Sequence, residues 1–355
     1  MNRGVRDIIH ERIRRDNLER RRIRSKNKSK ANRIQNNNGG NKKDREQSHK
    51  YFSSTYGFET IDAPPNFSLL VYPEDVIQFI KKIDDLYMSK KHIVGVKFDL
   101  KDIVKVDIGA ICLLLSKLNE LSKLRIRNCG TFPRDEVCKR FIYNSGFLDY
   151  IKDLTTGKSF MGAMGNNLII NRGFDKTDNF ATAAEIRKAI KHITGSEGRY
   201  APVYSIIQEM CSNSVEHANY HVEKKNWFLS SSYGEKSVTF TMTDIGAGIL
   251  GTLKKKLSDV LNDSMRSNVD ILENAFDKKY ESRTGDINRN KGLPRIFQMA
   301  SEGYIKNLIV VTNDVIFSFN DTSFSRKLDK LFNGTFYCWT LDNECIIKWK
   351  SRFVK

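Results

Sequence analysis

The stretch from Thr239 to Leu250, TFTMTDIGAGIL, decides the fold. Polar and apolar residues alternate up to Asp244, which is typical of a strand with one buried face, and the chain then turns at Gly246 and Gly248. A carboxylate at a strand end can accept a hydrogen bond from the exocyclic amine of a purine, and glycines let the backbone approach a flat base. Aspartate and glycine are also common at ordinary strand-to-turn junctions, so this stretch alone leaves both interpretations open.

A polar stripe precedes this strand by one hairpin, on an otherwise apolar segment. Residues 208–221, QEMCSNSVEHANYH, place Glu209, Asn213 and His217 four residues apart, so they share one face of a helix. An amide oxygen is a hard ligand suited to Mg²⁺, and a carboxylate can orient or deprotonate an attacking water. For these three residues taken alone, a solvated helix face is the more ordinary explanation.

Two further segments follow along the chain. Residues 282–296, SRTGDINRNKGLPRI, place Lys291 and Gly292 before a helix opened by Pro294, so backbone N–H groups and a positive helix end would face an anion. Residues 333–341, NGTFYCWTL, form a final strand led by Gly334 and Thr335. By themselves, the first segment indicates a polar loop and the second a strand.

In this order, the four segments resemble the ATP-binding domain of the GHKL family, which includes gyrase B, MutL, sensor histidine kinases and a group of heat-shock chaperones. EMCSNSVEHA resembles the N box of that family, DIGAGI the first glycine box, NKGLPRI the second, and GTFYCWTL the final strand. The resemblance spans roughly residues 175–345 and depends on order and spacing. It implies an α/β sandwich with ATP between the helices and one face of a sheet.

The resemblance also implies a role for each matching residue. Glu209 would be the catalytic base or the group that orients water, Asn213 would bind Mg²⁺, and Asp244 would contact adenine. The implied nucleotide-binding set comprises Asn213, His217, Asp244, Gly246, Gly248, Lys291, Gly292 and Thr335. The second glycine box departs from the family pattern, because Asn290 and Lys291 stand where a Gly-x-Gly is common; this puts hydrolysis and lid closure in question more than nucleotide binding.

The region before this domain alternates short strands, beginning with FSLLVY at residues 67–72, with helices that include IGAICLLLSKLNELSK at residues 108–123. Within it, residues 92–118, HIVGVKFDLKDIVKVDIGAICLLLSKL, resemble the core of STAS domains, in which a strand leads to Asp-Ser-Ser-Gly at a helix start. Here the matching residues are Asp107, Ile108, Gly109 and Ala110, so the hydroxyl that partner kinases phosphorylate is missing. A STAS-like docking module and a generic α/β domain both remain open.

The expected fold class is therefore α+β. We expect a basic, largely disordered tail over residues 1–55, a small STAS-like α/β domain over 56–155, a connector over 156–180, and a GHKL-type sandwich with a mixed sheet over 181–350. Residues 1–50 hold 17 Lys and Arg against six Asp and Glu, so they carry +11 of the net charge of +18. The tail could bind nucleic acid or an acidic surface, or it could be a solvated extension.

The cysteine and hydropathy patterns indicate the cellular compartment of the protein. The six cysteines form no CxxC pair, and several lie in apolar segments, which is typical of reduced core residues. The sequence has no apolar run of about 18 residues and no signal peptide. We therefore expect a cytoplasmic protein without a membrane segment.

Three functional classes compete. The first is a regulatory protein that binds Mg²⁺-ATP, acts as an ATPase and switches a protein partner held through the STAS-like domain; a homodimer is left open. The alternative is a serine/threonine protein kinase of the anti-sigma type. The third is a zinc site at His217 and His221, although the zincin order is His-Glu-x-x-His and the sequence offers no evident third ligand.

Overall fold

The computed structural model describes residues 58–88, 93–124, 126–150, 168–174, 179–217, 226–256, 267–277 and 292–353. The tail expected over residues 1–55 lies outside these ranges, as do Lys291 and the side chain of His217. Within the described ranges, none of the helices combines the length and the apolar character needed to cross a membrane.

The N-terminal part, residues 58–150, alternates strands and helices as expected. Three strands pair in parallel in the order β1-β3-β5, and two short strands, β2 and β4, form a second parallel pair. The strands are β1 Phe58–Asp62, β2 Asn66–Phe67, β3 Gly95–Asp99, β4 Lys105–Val106 and β5 Arg127–Gly130. The helices are α1 Pro73–Met88, α2 Ile108–Lys123 and α3 Glu136–Asn144, followed by a 3₁₀ turn, Phe147–Tyr150.

Asp107 fixes the start of α2 and the shape of a distant turn. Its Oδ1 accepts a hydrogen bond from the backbone N of Ala110 at 2.8 Å, which caps the helix. Its Oδ2 accepts from Oγ of Ser68 at 2.7 Å and from the backbone N of Leu70 at 3.0 Å. Because these bonds hold residues 68–71 in a turn, the strand predicted for FSLLVY is wrong beyond Phe67.

A five-stranded sheet forms the centre of the fold. Its strands are β6 Leu168–Phe174, β7 Asn226–Tyr233, β8 Ser237–Asp244, β9 Lys306–Ser318 and β10 Arg326–Asp342, in the spatial order β6-β7-β8-β10-β9. All four neighbouring pairs are antiparallel. The prediction of a mixed sheet is therefore wrong here, because short hairpins join β7 to β8 and β9 to β10 and reverse the chain. Antiparallel and parallel sheets together with the helices confirm the α+β class.

Within the described ranges, six helices accompany this sheet. They are α4 Asn179–Thr194, α5 Ala201–His217, α6 Gly248–Lys256, α7 Asn268–Phe276, α8 Gly292–Ser301 and α9 Asn343–Ser351. Their apolar residues share a core with one face of the sheet, which includes Trp227, Phe240, Met242, Tyr337 and Trp339. We call this the inner face, because the candidate site described below lies at one end of it.

The N-terminal part covers the opposite face of the same sheet. Phe336 of β10 is fully buried there, and a Cβ placed on Gly109 of α2 would lie 2.8 Å from the Phe336 ring. Arg326 of β10 also forms an ion pair with Glu74 of α1, to which its Nη1 and Nη2 atoms both donate. The core on this side unites residues of the N-terminal part with Phe228, Val311, Ile316, Leu328, Phe332, Phe336 and Cys338 of the sheet.

Candidate functional site

A row of four residues crosses the inner face at one end of the sheet. Asp244 is the last residue of β8, and it pairs with Trp227 of β7 on one side and with Thr335 of β10 on the other. Thr335 in turn pairs with Thr312 of β9. Neighbouring side chains in such a row lie roughly 5 Å apart. The row therefore gives the end of the inner face a floor of one aromatic and three oxygen-bearing side chains.

Asp244 is held in place by two donors. Oγ of Ser214, on α5, donates a hydrogen bond of 2.7 Å to its Oδ2, and the backbone N–H of Thr335 also donates to the carboxylate. Burial nevertheless raises the pKa of Asp244 from 3.8 to about 6, because desolvation outweighs the two donors, each of which lowers it. The strand end thus presents a carboxylate that is half-buried and fixed in orientation.

The Tyr337 hydroxyl lies within range of the charge of this carboxylate. Its ring belongs to the inner-face core and is 2% exposed, while Asp244 and Asn213 are the polar groups that act on its hydroxyl. Burial, followed by the negative charge of Asp244, raises the pKa of Tyr337. Asn213 lies near enough to its oxygen to lower the pKa by hydrogen bonding, but that contact falls short of full hydrogen-bond geometry, and no other described residue supplies a partner. A buried hydroxyl without a partner is unfavourable, so a polar ligand at this position would satisfy it.

The glycine turn after Asp244 is shaped by Asn313 of β9. Gly248, the first residue of α6, has a φ of 72°, and a Cβ there would lie 2.4 Å from Oδ1 of Asn313. The same Oδ1 accepts from the backbone N of Leu250 at 3.0 Å and of Gly251 at 3.3 Å, while Nδ2 donates to the carbonyl of Ala247 at 2.9 Å. A protein side chain therefore accounts for the glycine at position 248.

Gly246 and Gly334 bring the two strand ends together. The backbone N of Gly246 donates to the carbonyl of Asn333 at 3.3 Å. A Cβ on Gly334 would lie 2.3 Å from the carbonyl oxygen of Asp244, closer than any side chain can approach. The glycine that leads the final strand is thus needed for β10 to lie beside the end of β8.

The polar stripe on α5 meets the start of α8. A Cβ on Gly292 would lie 3.0 Å from Oε2 of Glu209 and 3.6 Å from both terminal atoms of the Asn213 side chain. Nη1 of Arg295, one turn further along α8, forms an ion pair of 3.1 Å with Oε1 of Glu209. Both expected site residues on α5 therefore face the N-terminal turn of α8, where backbone N–H groups have no partner within the helix.

Helix α5 links the two halves of the site. Ser214 contacts Asp244, while Asn213 and Glu209, one and five residues earlier, lie against Gly292. At 1.5 Å of rise per residue, Ser214 and Glu209 are separated by about 7.5 Å along the helix axis. The structure brings together Glu209, Asn213, Asp244, Gly292 and Thr335, which belong to all four segments that the sequence singled out.

The chemistry of the two halves differs. At the strand end, the charge of the fixed acceptor Asp244 reaches the hydroxyl of Tyr337. At the start of α8, a carboxamide and a carboxylate lie beside a helix N-terminus and a guanidinium. The first half suits a ligand group that donates hydrogen bonds, and the second suits an anion together with a hard cation. No group of His, Cys, Asp and Glu residues that could hold a metal by itself occurs within the described ranges.

Sequence reasoning missed five residues of this site. Ser214, Arg295, Thr312, Asn313 and Tyr337 each contact an expected site residue or shape the turn beside it. Ser214 and Tyr337 lie next to or two residues from an expected residue, so proximity along the chain could have suggested them. Comparison of the chain with protein-family models finds no match, and a search of curated proteins finds none either.

Proposed function

We propose that this protein binds Mg²⁺-ATP in a site of the GHKL type and that the nucleotide regulates its interaction with a protein partner. The observation that carries the proposal is that helix α5, which carries one of the four segments, contacts two of the others, while the fourth pairs with Asp244 through Thr335. Ser214 joins α5 to Asp244, and Gly292 lies against Glu209 and Asn213. The order of the segments along the chain and their meeting in space are independent lines of support.

The base would occupy the strand end. Asp244, fixed by Ser214 and the Thr335 backbone, would accept a hydrogen bond from the exocyclic amine of adenine. A guanine base carries a carbonyl where adenine carries its amine, so it would set an acceptor against the carboxylate. In this orientation of the base, the site favours adenine over guanine.

The phosphates would lie toward the start of α8. Backbone N–H groups of its first turn and the Arg295 guanidinium supply positive potential there. The Asn213 carboxamide is half-buried and has a hard oxygen at the junction of α5 and α8, so it fits the donor chemistry of Mg²⁺. When bound, Mg²⁺ would neutralise phosphate charge, and its remaining ligands would come from phosphate and water.

Glu209 is the candidate group for water activation. Its carboxylate lies one helical turn from Asn213 and is a quarter exposed, so a water molecule can reach it. A carboxylate at this position could orient a water molecule for hydrolysis or accept the proton of a protein hydroxyl in phosphotransfer. The anti-sigma kinase alternative is tested by following the γ-phosphate.

A partner would have to use surfaces other than α2. Most of that helix is buried, and its first turn lies against Phe336 of the sheet. The STAS-like part, if it docks a partner, would do so through its remaining faces.

Calorimetric titration of the full chain with ATP, with and without Mg²⁺, tests the proposal. We expect saturable, Mg²⁺-dependent binding that weakens about tenfold or more in Asp244→Asn, which replaces a charged acceptor with a neutral amide, and in Asn213→Ala, which removes the ligating oxygen. Asp329→Asn and Asn320→Ala, both exposed, are the matched controls. The proposal fails if the wild type does not bind ATP, or if both site variants bind as tightly as their controls.

Labelled γ-phosphate separates the two reactions. Hydrolysis is supported if the wild type releases inorganic phosphate and Glu209→Gln binds ATP without releasing it. Glu235→Gln, at an exposed position, is the control and should release phosphate like the wild type. Transfer of the label to a protein supports the kinase instead.

A further inference from the structure

The roles assigned above do not explain why Arg295 forms an ion pair with Glu209. Arg295 is the fourth residue of α8, and its side chain is 55% exposed, whereas that of Glu209 is 25% exposed. Among the described residues, only Nη1 of the guanidinium meets an acceptor, so the other four N–H donors of Arg295 are free to bind another anion. This arginine therefore holds Glu209 while exposing most of its hydrogen-bonding capacity at the α8 end of the site.

We propose that Arg295 distinguishes a nucleoside triphosphate from a diphosphate by binding the terminal phosphate while it is paired with Glu209. The inference rests on the proposed function, since it assigns the end of the phosphate chain to the junction of α5 and α8. A terminal phosphate that approaches Glu209 is repelled by the carboxylate unless a cation lies between them. Arg295 is the cation found beside Glu209, and its planar fork can bind two anions at once.

Competition between the two partners follows from the exposure of the pair. Exposed ion pairs are weak because water screens them, so a phosphate oxygen of higher charge can take over part of the guanidinium. Glu209 consequently opposes triphosphate binding in two ways, through its own negative charge and through its hold on Arg295. Neutralising Arg295 should therefore weaken triphosphate binding, whereas neutralising Glu209 should strengthen it.

The test compares dissociation constants of the full chain for Mg²⁺-ADP and for a Mg²⁺-bound, non-hydrolysable ATP analogue, measured by calorimetry. For Arg295→Ala we expect the analogue to bind about tenfold more weakly, with ADP affinity nearly unchanged and partial recovery in Arg295→Lys. For Glu209→Gln we expect the analogue to bind more tightly than it does to the wild type. Arg199→Ala, at an exposed position outside the site, is the matched control and should bind like the wild type.

Two results overturn the assignment of Arg295. Equal weakening of ADP and the analogue in Arg295→Ala would show a structural role, and unchanged affinity for both would show no role. If the wild type binds neither nucleotide, the proposed function itself fails, together with this inference. If ATP binds but Arg295→Ala keeps the wild-type ratio of the two constants, only the inference fails.

Discussion

Replacing Asp244 with asparagine should change how the stability of the protein depends on pH. The pKa of Asp244 is raised from 3.8 to about 6 in the folded protein, chiefly by burial. A raised folded-state pKa contributes stability that is fully present below 3.8 and is lost as the pH rises through about 6. Asparagine has a similar shape and does not ionise, so the variant should lack this dependence.

The magnitude follows from the two pKa values. The total difference between low and neutral pH is about 3 kcal/mol, at 1.36 kcal/mol per pKa unit. Roughly half of it is already lost at pH 5, so between pH 5 and pH 7 the wild type should lose about 1 kcal/mol relative to Asp244→Asn. For a chain of 355 residues, whose unfolding entropy is about 0.7 kcal/mol per kelvin, that corresponds to a change of about 1–2 °C in the difference between their melting temperatures.

Thermal and urea unfolding of both proteins at half-unit intervals from pH 5 to pH 7 measures this dependence. All other titrating groups are shared, so their effects cancel in the difference. A constant offset would reflect only the altered hydrogen bond to Ser214. A difference that stays constant across the whole interval would refute the conclusion that burial holds Asp244 at a raised pKa.

Two further substitutions test the frame around the site. Asn313→Ala removes the acceptor for two backbone N–H groups at the start of α6, so we expect the free energy of unfolding in urea to fall by about 2 kcal/mol. Asn320→Ala, at an exposed position, should leave it unchanged. A loss no larger than in this control would contradict the capping role. Gly109→Val should cost about 2 kcal/mol by overpacking against the buried Phe336 ring, and should lower the stability of the whole protein in a single transition. Lys81→Val, on the exposed face of α1, controls for valine in a helix, and a separate early transition of the N-terminal part would count against a shared core.

Local patterns predicted the elements whose signals are contained in a short stretch. Helix α2 has the expected bounds because Asp107 caps it and a continuous apolar run follows. Strand β8 ends at Asp244 because its alternation stops there. The expected residues on α5 share a face because helical spacing alone aligns Glu209 with Asn213.

Contacts between distant residues could not be predicted in this way. The apolar run after Phe67 looks like a strand, and only Asp107, almost forty residues later, turns it. Asn313 appears in the sequence as a break between two strands, whereas β9 continues through it with a φ of 53°. The pairing of Arg295 with Glu209 spans 86 residues and depends on how two helices are packed.

The alternation of side chains along β10 has a practical consequence for anyone who wishes to divide this chain. Thr335 and Tyr337 face the candidate site, while Phe336 and Cys338, between and after them, anchor the N-terminal part. A fragment that begins after residue 150 would leave the aromatic and aliphatic side chains of that second face in water, and such surfaces promote aggregation. We therefore expect a stable fragment with this site to need the chain from near β1 onward, and a nucleotide-binding measurement on a shorter fragment to report on a damaged sheet.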